Sequence, residues 1–154
     1  MKLTAKGRYA VMAMTDLANF NKQQKPVSLN DISIRQGISL SFLEQLFLKL
    51  KKQDLVTSIR GNLGGYKLSI EPNKIYLSSI IEAVNEDIKT TKCKLKSKKG
   101  CNGKPTKCAT HNLWDGLSKH INNYFTSVTL QDILDNKIPK NIPFENSSNQ
   151  SQGL

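Results

Sequence analysis

Residues 27–56, VSLNDISIRQGISLSFLEQLFLKLKKQDLV, leave few folds open. Ser28 and Asp31 have the spacing of a helix cap, and a short helix is predicted from Leu29 to Gln36. Gly37 then supplies a tight turn at which a positive φ is expected. Ser39 or Ser41 can cap the next helix, and Ser41 with Glu44 has capping-box spacing. Leu43, Leu46, Phe47 and Leu50 recur at i, i+3, i+4 and i+7, which marks one buried face. A short helix, a glycine turn and a longer helix make the helix-turn-helix pattern. Enzymes also join helix pairs this way, so the segment after the pair decides how it is read.

That segment is LVTSIRGNLGGYKLSI, residues 55–70. It alternates, turns at Gly61–Gly65 and alternates again, which predicts a β-hairpin. A hairpin directly after a helix-turn-helix is a wing. Arg60 stands at the start of its turn, where a long cation can reach a minor groove. The plain alternative is a surface arginine on a hairpin.

Around this unit the helical period recurs. Leu3, Tyr9, Ala10, Ala13, Met14, Leu17 and Ala18 predict an amphipathic helix over 3–20. Leu77, Ile80, Ile81 and Val84 predict another, ending near Asp87. Leu113, Trp114, Leu117, Ile121, Tyr124, Phe125 and Val128 trace a long apolar stripe. It is either a core helix or a two-fold dimer helix, since helix-turn-helix proteins usually read paired half-sites. Thr129 with Asp132 caps a short helix in LQDILDN, and the tail is expected to be disordered. The expected fold is mainly α with a small β-hairpin wing: a winged helix-turn-helix plus a long C-terminal dimerisation helix. The expected divisions are a DNA-binding domain over 1–87, a metal loop over 88–111, the dimerisation helix and a short capping helix over 112–137, and the tail over 138–154.

The formal net charge of +11 favours a polyanionic partner, nucleic acid before an acidic membrane surface. No apolar run is long enough to span a bilayer. Thr15, Asp16 and Asn19 interrupt the N-terminal apolar positions, which argues against a secretory signal. A cytoplasmic protein is expected, in which three cysteines would not form a structural disulfide. No Ser/His/Asp set, paired carboxylates or phosphate-cradling loop stands out, so an enzyme is not expected. GNLGG suits a wing turn better than a phosphate loop.

Every cysteine lies in CKLKSKKGCNGKPTKCATH, residues 93–111. Cys93, Cys101, Cys108 and His111 are spaced C-x7-C-x6-C-x2-H, a complete four-ligand set. A zinc site needs only tetrahedral N/S ligation, although the usual C-x2-C pair is absent. An iron–sulfur cluster accepts looser spacing and a histidine in place of one cysteine. A thiol redox sensor would gain from the seven lysines between Lys92 and Lys107. Incidental cysteines are the remaining reading. Spacing alone leaves zinc and iron–sulfur level.

LTAKGRYAVMAM, DISIRQGISLSFLEQLFLKL, VTSIRGNLGGYKL and CATHNLW together resemble the IscR family of bacterial iron–sulfur cluster regulators. The resemblance runs from about Met1 to Asn136. It implies a winged-helix homodimer that binds double-stranded DNA at a palindromic operator. It implies a [2Fe–2S] cluster on Cys93, Cys101, Cys108 and His111, supplied by the iron–sulfur assembly machinery. It also implies repression or activation of the genes for that machinery.

By the same resemblance, Ser41, Glu44 and Gln45 belong to the base-facing part of the recognition helix and Arg60 to the wing, and Ser39 and Phe42 are further candidate DNA-binding residues. Phe42 stands where relatives often have tyrosine, and Asn62 and Leu63 where glycine or proline is usual. Lys6 and Arg8 are candidate phosphate contacts. Glu44 is read as a filter, because a carboxylate in the major groove accepts from cytosine N4 and repels acceptor-only edges. Its alternative is a plain surface or capping glutamate. His120 falls on the polar side of its helix. A nitric-oxide-responsive repressor of the same fold is the nearest rival, disfavoured by His111 in CATH. An iron–sulfur carrier or electron-transfer protein is the rival of another class, and would need neither wing nor positive charge.

Overall fold

The structure, a computed structural model, describes residues 4–21, 25–86, 90, 100–101 and 104–140. Helix α1 spans Ala5–Phe20 and buries Ala10, Ala13, Met14, Leu17 and Ala18, as its period predicts. Leu3 lies outside the described residues. The N-cap residue Thr4 makes no side-chain cap of its own. Instead its amide donates to Glu86 Oε1 at 3.2 Å and its hydroxyl donates to Glu86 Oε2. Burial opposes the Glu86 charge, but these bonds, the Gly7 amide and the Lys6 cation hold its carboxyl below the usual range.

Helix α2 spans Leu29–Gln36, with Ser28 Oγ accepting from the Asp31 amide at 3.1 Å. Gly37 ends it at φ 64°, ψ 32°. A Cβ there would meet nothing, so the glycine answers to backbone conformation rather than to space. Helix α3 spans Leu40–Lys52 and buries Leu43, Leu46, Phe47 and Leu50. Of the two serines, Ser39 is the cap, accepting from the Phe42 amide at 3.3 Å. Because the helix begins at Leu40, Ser41 already lies in its first turn, and the Ser41–Glu44 capping box does not form.

Strands β1, Val56–Ile59, and β2, Gly65–Leu68, pair antiparallel in the register Val56↔Leu68 to Ile59↔Gly65. Val27 adds a bridge to Tyr66, with backbone bonds of 2.9 and 2.8 Å. The Tyr66 ring meets Phe47 edge-on at 4.9 Å, which ties the wing to α3.

Helix α4, Leu77–Ala83, stops short of Asp87 because Asn85 turns the chain at φ 56°; Asp87 itself lies outside the described residues. Helix α5 spans His111–Ser127. Tyr124 and Phe125 pack against the core, whereas Leu113 stays 63% exposed and Trp114 37%. After α5 the chain returns to the core through Val128. The Leu77 amide donates to the Val128 carbonyl at 3.0 Å, and the Leu130 amide to Ile75 at 2.8 Å. Helix α6, Leu130–Leu134, starts on the expected Thr129–Asp132 capping box. It is shorter than LQDILDN, with Asn136 at φ 54° beyond it.

Phe47, Met14, Leu17, Ile32, Leu43, Leu50, Ile80 and Leu130 are among the largest buried side chains. Each contributes about 1.5–3 kcal/mol of transfer free energy. Among the described residues, no helix is long and apolar enough to cross a membrane. Residues 141–154, most of the expected tail, lie outside the described residues.

Candidate nucleic-acid interface and metal centre

The four buried residues of α3 leave the opposite face to solvent. Ser41, Glu44 and Gln45 are all exposed there, with Leu48 one turn on. Ser39 is exposed too, but its hydroxyl is engaged as the cap. Phe42 is half-buried and meets Tyr9 edge-on at 5.7 Å. Its ring therefore seats the start of α3 on α1 instead of standing free. Arg60 is exposed at the root of the wing loop. Arg8 is exposed near the start of α1, while Lys6 is half-buried and acts on Glu86. Lys51 donates from Nζ to Ser58 Oγ at 2.6 Å and so pins β1 to α3.

The pair α2–α3 is held to α1 by a buried carboxylate. Asp16 accepts from Arg35 Nη2 at 2.6 Å, from Arg35 Nε at 3.0 Å and from Gln36 Nε2 at 2.7 Å. The Arg35 guanidinium also lies 3.9 Å from the Phe20 ring centroid. The bond to Asp16, against the cost of burial, holds Arg35 above its ordinary pKa.

In the cysteine loop, Cys101 and His111 are both buried, and Cys101 Sγ lies 3.4 Å from His111 Nδ1. His111 is the first residue of α5, and its amide donates to the Cys108 carbonyl at 3.0 Å. Cys108 is exposed. The Thr110 hydroxyl, 3.7 Å from its sulfur, and then Cys101 hold the Cys108 thiol below its ordinary pKa. Thr110 Oγ1 also accepts from Trp114 Nε1 at 3.2 Å. Among the described residues no three carboxylate, thiol or imidazole groups form an ion site by themselves. Cys93, the fourth expected ligand, lies outside the described residues.

A helix-turn-helix with a pinned hairpin, followed by a thiol–imidazole loop, calls for comparison with known regulators. The Rrf2 family of iron-dependent transcriptional regulators matches residues 3–136. The chain belongs to the Rrf2 family.

Within that family it is an IscR-type regulator. The HTH-type transcriptional regulator IscR of Aliivibrio salmonicida is 50% identical over 139 residues, covering 90% of this chain and 80% of the relative. That of Vibrio cholerae is also 50% identical over 139 residues, covering 90% and 78%. The solved structure of T. potens IscR is 33% identical, with a TM-score of 0.71 over 99% of this chain and 94% of that one. CymR, the global cysteine regulator of B. subtilis, is 30% identical, with a TM-score of 0.72 over 88% and 98%. The Rrf2 chain is thus a winged-helix transcriptional regulator, as the helix-turn-helix and hairpin led one to expect.

The donor set suits a thiophilic group. Two of the expected ligands are in contact and shielded from solvent, and the third lies on the strand of loop leading into α5. Gly100 makes this packing possible, since a Cβ there would collide with the Lys104 and Thr106 carbonyl oxygens. Sequence reasoning missed Gly100, the Asp16–Arg35 pair and the Lys51–Ser58 bond. Charge type and glycine content hinted at each, but only tertiary contact assigns a partner.

Proposed function

We propose that this Rrf2 regulator responds to iron–sulfur supply through a [2Fe–2S] cluster held by Cys93, Cys101, Cys108 and His111, and controls the genes for cluster assembly. The buried contact between Cys101 Sγ and His111 Nδ1, 3.4 Å, carries the reading. These are two of the four proposed ligands, and they meet out of solvent, where a thiophilic group could be held. Bound there, the cluster would supply a labile centre whose histidine ligand leaves it less negative than four thiolates would. The protein's own share is to bring Cys101 and His111 together at the first turn of α5, so that a group held there sits beside that helix.

In this role the chain works in the cytoplasm, by binding and not by catalysis, and receives its cluster from the assembly machinery. The uncovered half of α5, with Leu113 and Trp114, would pack on a second copy. Two copies read a palindromic duplex. Ser39, Ser41, Phe42, Glu44 and Gln45 form or seat the major-groove reading face, Arg60 enters the minor groove, and Lys6 and Arg8 approach phosphates.

Anaerobic purification, with absorption, iron and acid-labile sulfide analysis, tests the site. Iron and labile sulfide in equal amounts are expected. Cys93→Ala, Cys101→Ala or Cys108→Ala should abolish both yet leave the helical spectrum, because the described Cys101 and Cys108 lie outside the main core cluster. Stoichiometric zinc without sulfide would overturn the assignment. Duplex binding that is sequence-specific and weakens steeply with salt separates a regulator from a cluster carrier.

A further inference from the structure

Leu63 is 91% exposed, more than any other large apolar side chain described. Single exposed leucines are common on protein surfaces, but this one occupies an unusual place. The wing loop, residues 60–64, is closed by a bond from the Gly64 amide to the Gly61 carbonyl at 2.9 Å. Asn62 and Leu63 are the two central residues of that turn. Neither has a positive φ, so the turn is of the type I kind in which Asp, Asn, Ser or Gly serve well. A leucine there buries nothing and contributes nothing to folding.

The base of the loop is also closely held. A Cβ at Gly64 would collide with the Ile59 carbonyl oxygen, and one at Gly65 with that of Val27. Val27 and Tyr66 exchange two backbone bonds, and Lys51 Nζ holds Ser58 at 2.6 Å. The leucine is therefore presented by a loop braced against both the domain body and α3, at little ordering cost on binding. Arg60 stands exposed at the root of the same loop. A cation beside an apolar wedge suits a groove with charged rims and walls of deoxyribose. It suits an apolar protein surface less well.

We propose that Leu63 is a specificity-determining residue that enters the minor groove beside Arg60 and selects A·T pairs there. The selection is steric. The guanine N2 amino group stands up from the minor-groove floor, where A·T pairs offer only acceptors and free depth. A leucine seated on that floor fits over A·T and is lifted by G·C. This rests on the reading that the wing enters the minor groove, and the test separates the two ideas.

A duplex is first selected by the full chain from a randomised pool. Pairs under the wing are then changed from A·T to G·C or to inosine·C, which lacks only the N2 amino group. The wild-type chain should lose about tenfold in affinity on G·C and recover it on inosine·C, within the range of one mismatched pair. Leu63→Ala should bring G·C and inosine·C within about twofold of each other, and Leu63→Met should restore the difference. Arg60→Ala should weaken all these duplexes and keep the preference. If Arg60→Ala leaves affinity unchanged, the wing does not enter the groove and the Leu63 assignment falls with it. If Arg60→Ala weakens binding but Leu63→Ala keeps the full preference, the wing reading stands and Leu63 is not the selector. Since the side chain touches almost nothing in the fold, each Leu63 variant should fold as the wild type does.

Discussion

Arg35→Ala should destabilise the chain more than any other substitution of an exposed residue outside the core. Arg35 gives the Asp16 carboxylate three contacts, at 3.2, 3.0 and 2.6 Å. The Asp16 side chain is only 1% exposed, and Gln36 Nε2 at 2.7 Å is its other described donor. Removing Arg35 therefore leaves a buried charge with one hydrogen bond. Breaking a buried pair this way typically costs about 3–5 kcal/mol. Arg35 is itself 30% exposed, so water can enter the vacated space. That brings the expectation to about 2–3 kcal/mol, including about 0.5 kcal/mol for the lost contact with Phe20. The assay is urea denaturation of the metal-free chain under reductant at neutral pH. Protomer concentration is held fixed because association would shift the midpoint. Asp16→Leu with Arg35→Met should cost clearly less than the two single changes summed, with a coupling of about 1 kcal/mol or more. A loss below about 0.5 kcal/mol for Arg35→Ala, or strictly additive single changes, would refute the reasoning and make the pair incidental.

Glu44→Ala should broaden the set of accepted sites more than it lowers affinity for the preferred one, since removing a repulsive filter relaxes discrimination; competition against single-pair variants of the selected duplex measures this, and equal weakening at all sites would leave Glu44 a plain surface residue. Thr129→Ala should cost about 1 kcal/mol through the lost cap at α6. The Thr129 amide and then its hydroxyl hold the Asp132 carboxyl below its ordinary value of 3.8. A depressed folded value means the stabilisation is complete above 3.8 and disappears as pH falls through the lower folded value. The stability gap between wild type and Asp132→Asn, read by urea melts, should therefore shrink on acidification below the ordinary carboxylate range. A gap that is constant with pH would mean that the charge of Asp132 plays no part.

Much of the fold was legible because it rests on local chemistry. Ser28, Gly37 and the i, i+3, i+4, i+7 row from Leu43 to Leu50 encode two helices and their turn without reference to anything distant. The hairpin was legible for the same reason: alternation and glycines are neighbours in sequence. Ends were harder. Ser39 and Ser41 are both competent caps, and the choice shows only in the structure, where α3 begins at Leu40 and Ser39 Oγ accepts from the Phe42 amide. Asn85 and Asn136 end their helices in the left-handed region, a role that asparagine shares with many surface positions.

The site divides along the same line. The spacing of Cys101, Cys108 and His111 is visible, but their contact depends on Gly100 letting residues 104 and 106 fold back over it. Asp16 showed only as an interruption of an apolar run, since its partner is on another helix and no period links them. The stripe on α5 is the sharpest case. Hydrophobic period reports that a face is covered, not what covers it. Tyr124 and Phe125 are covered by the chain's own core, whereas Leu113 and Trp114 are not. One continuous pattern thus runs over a half that the core covers, as the core-helix alternative has it, and a half that it leaves exposed. The uncovered half is also the half that begins at His111, and Trp114 is bonded through Thr110 toward Cys108. Whatever packs on Leu113 and Trp114 must therefore sit beside Thr110 and Cys108, on a helix that packs on α4, which in turn packs on α1.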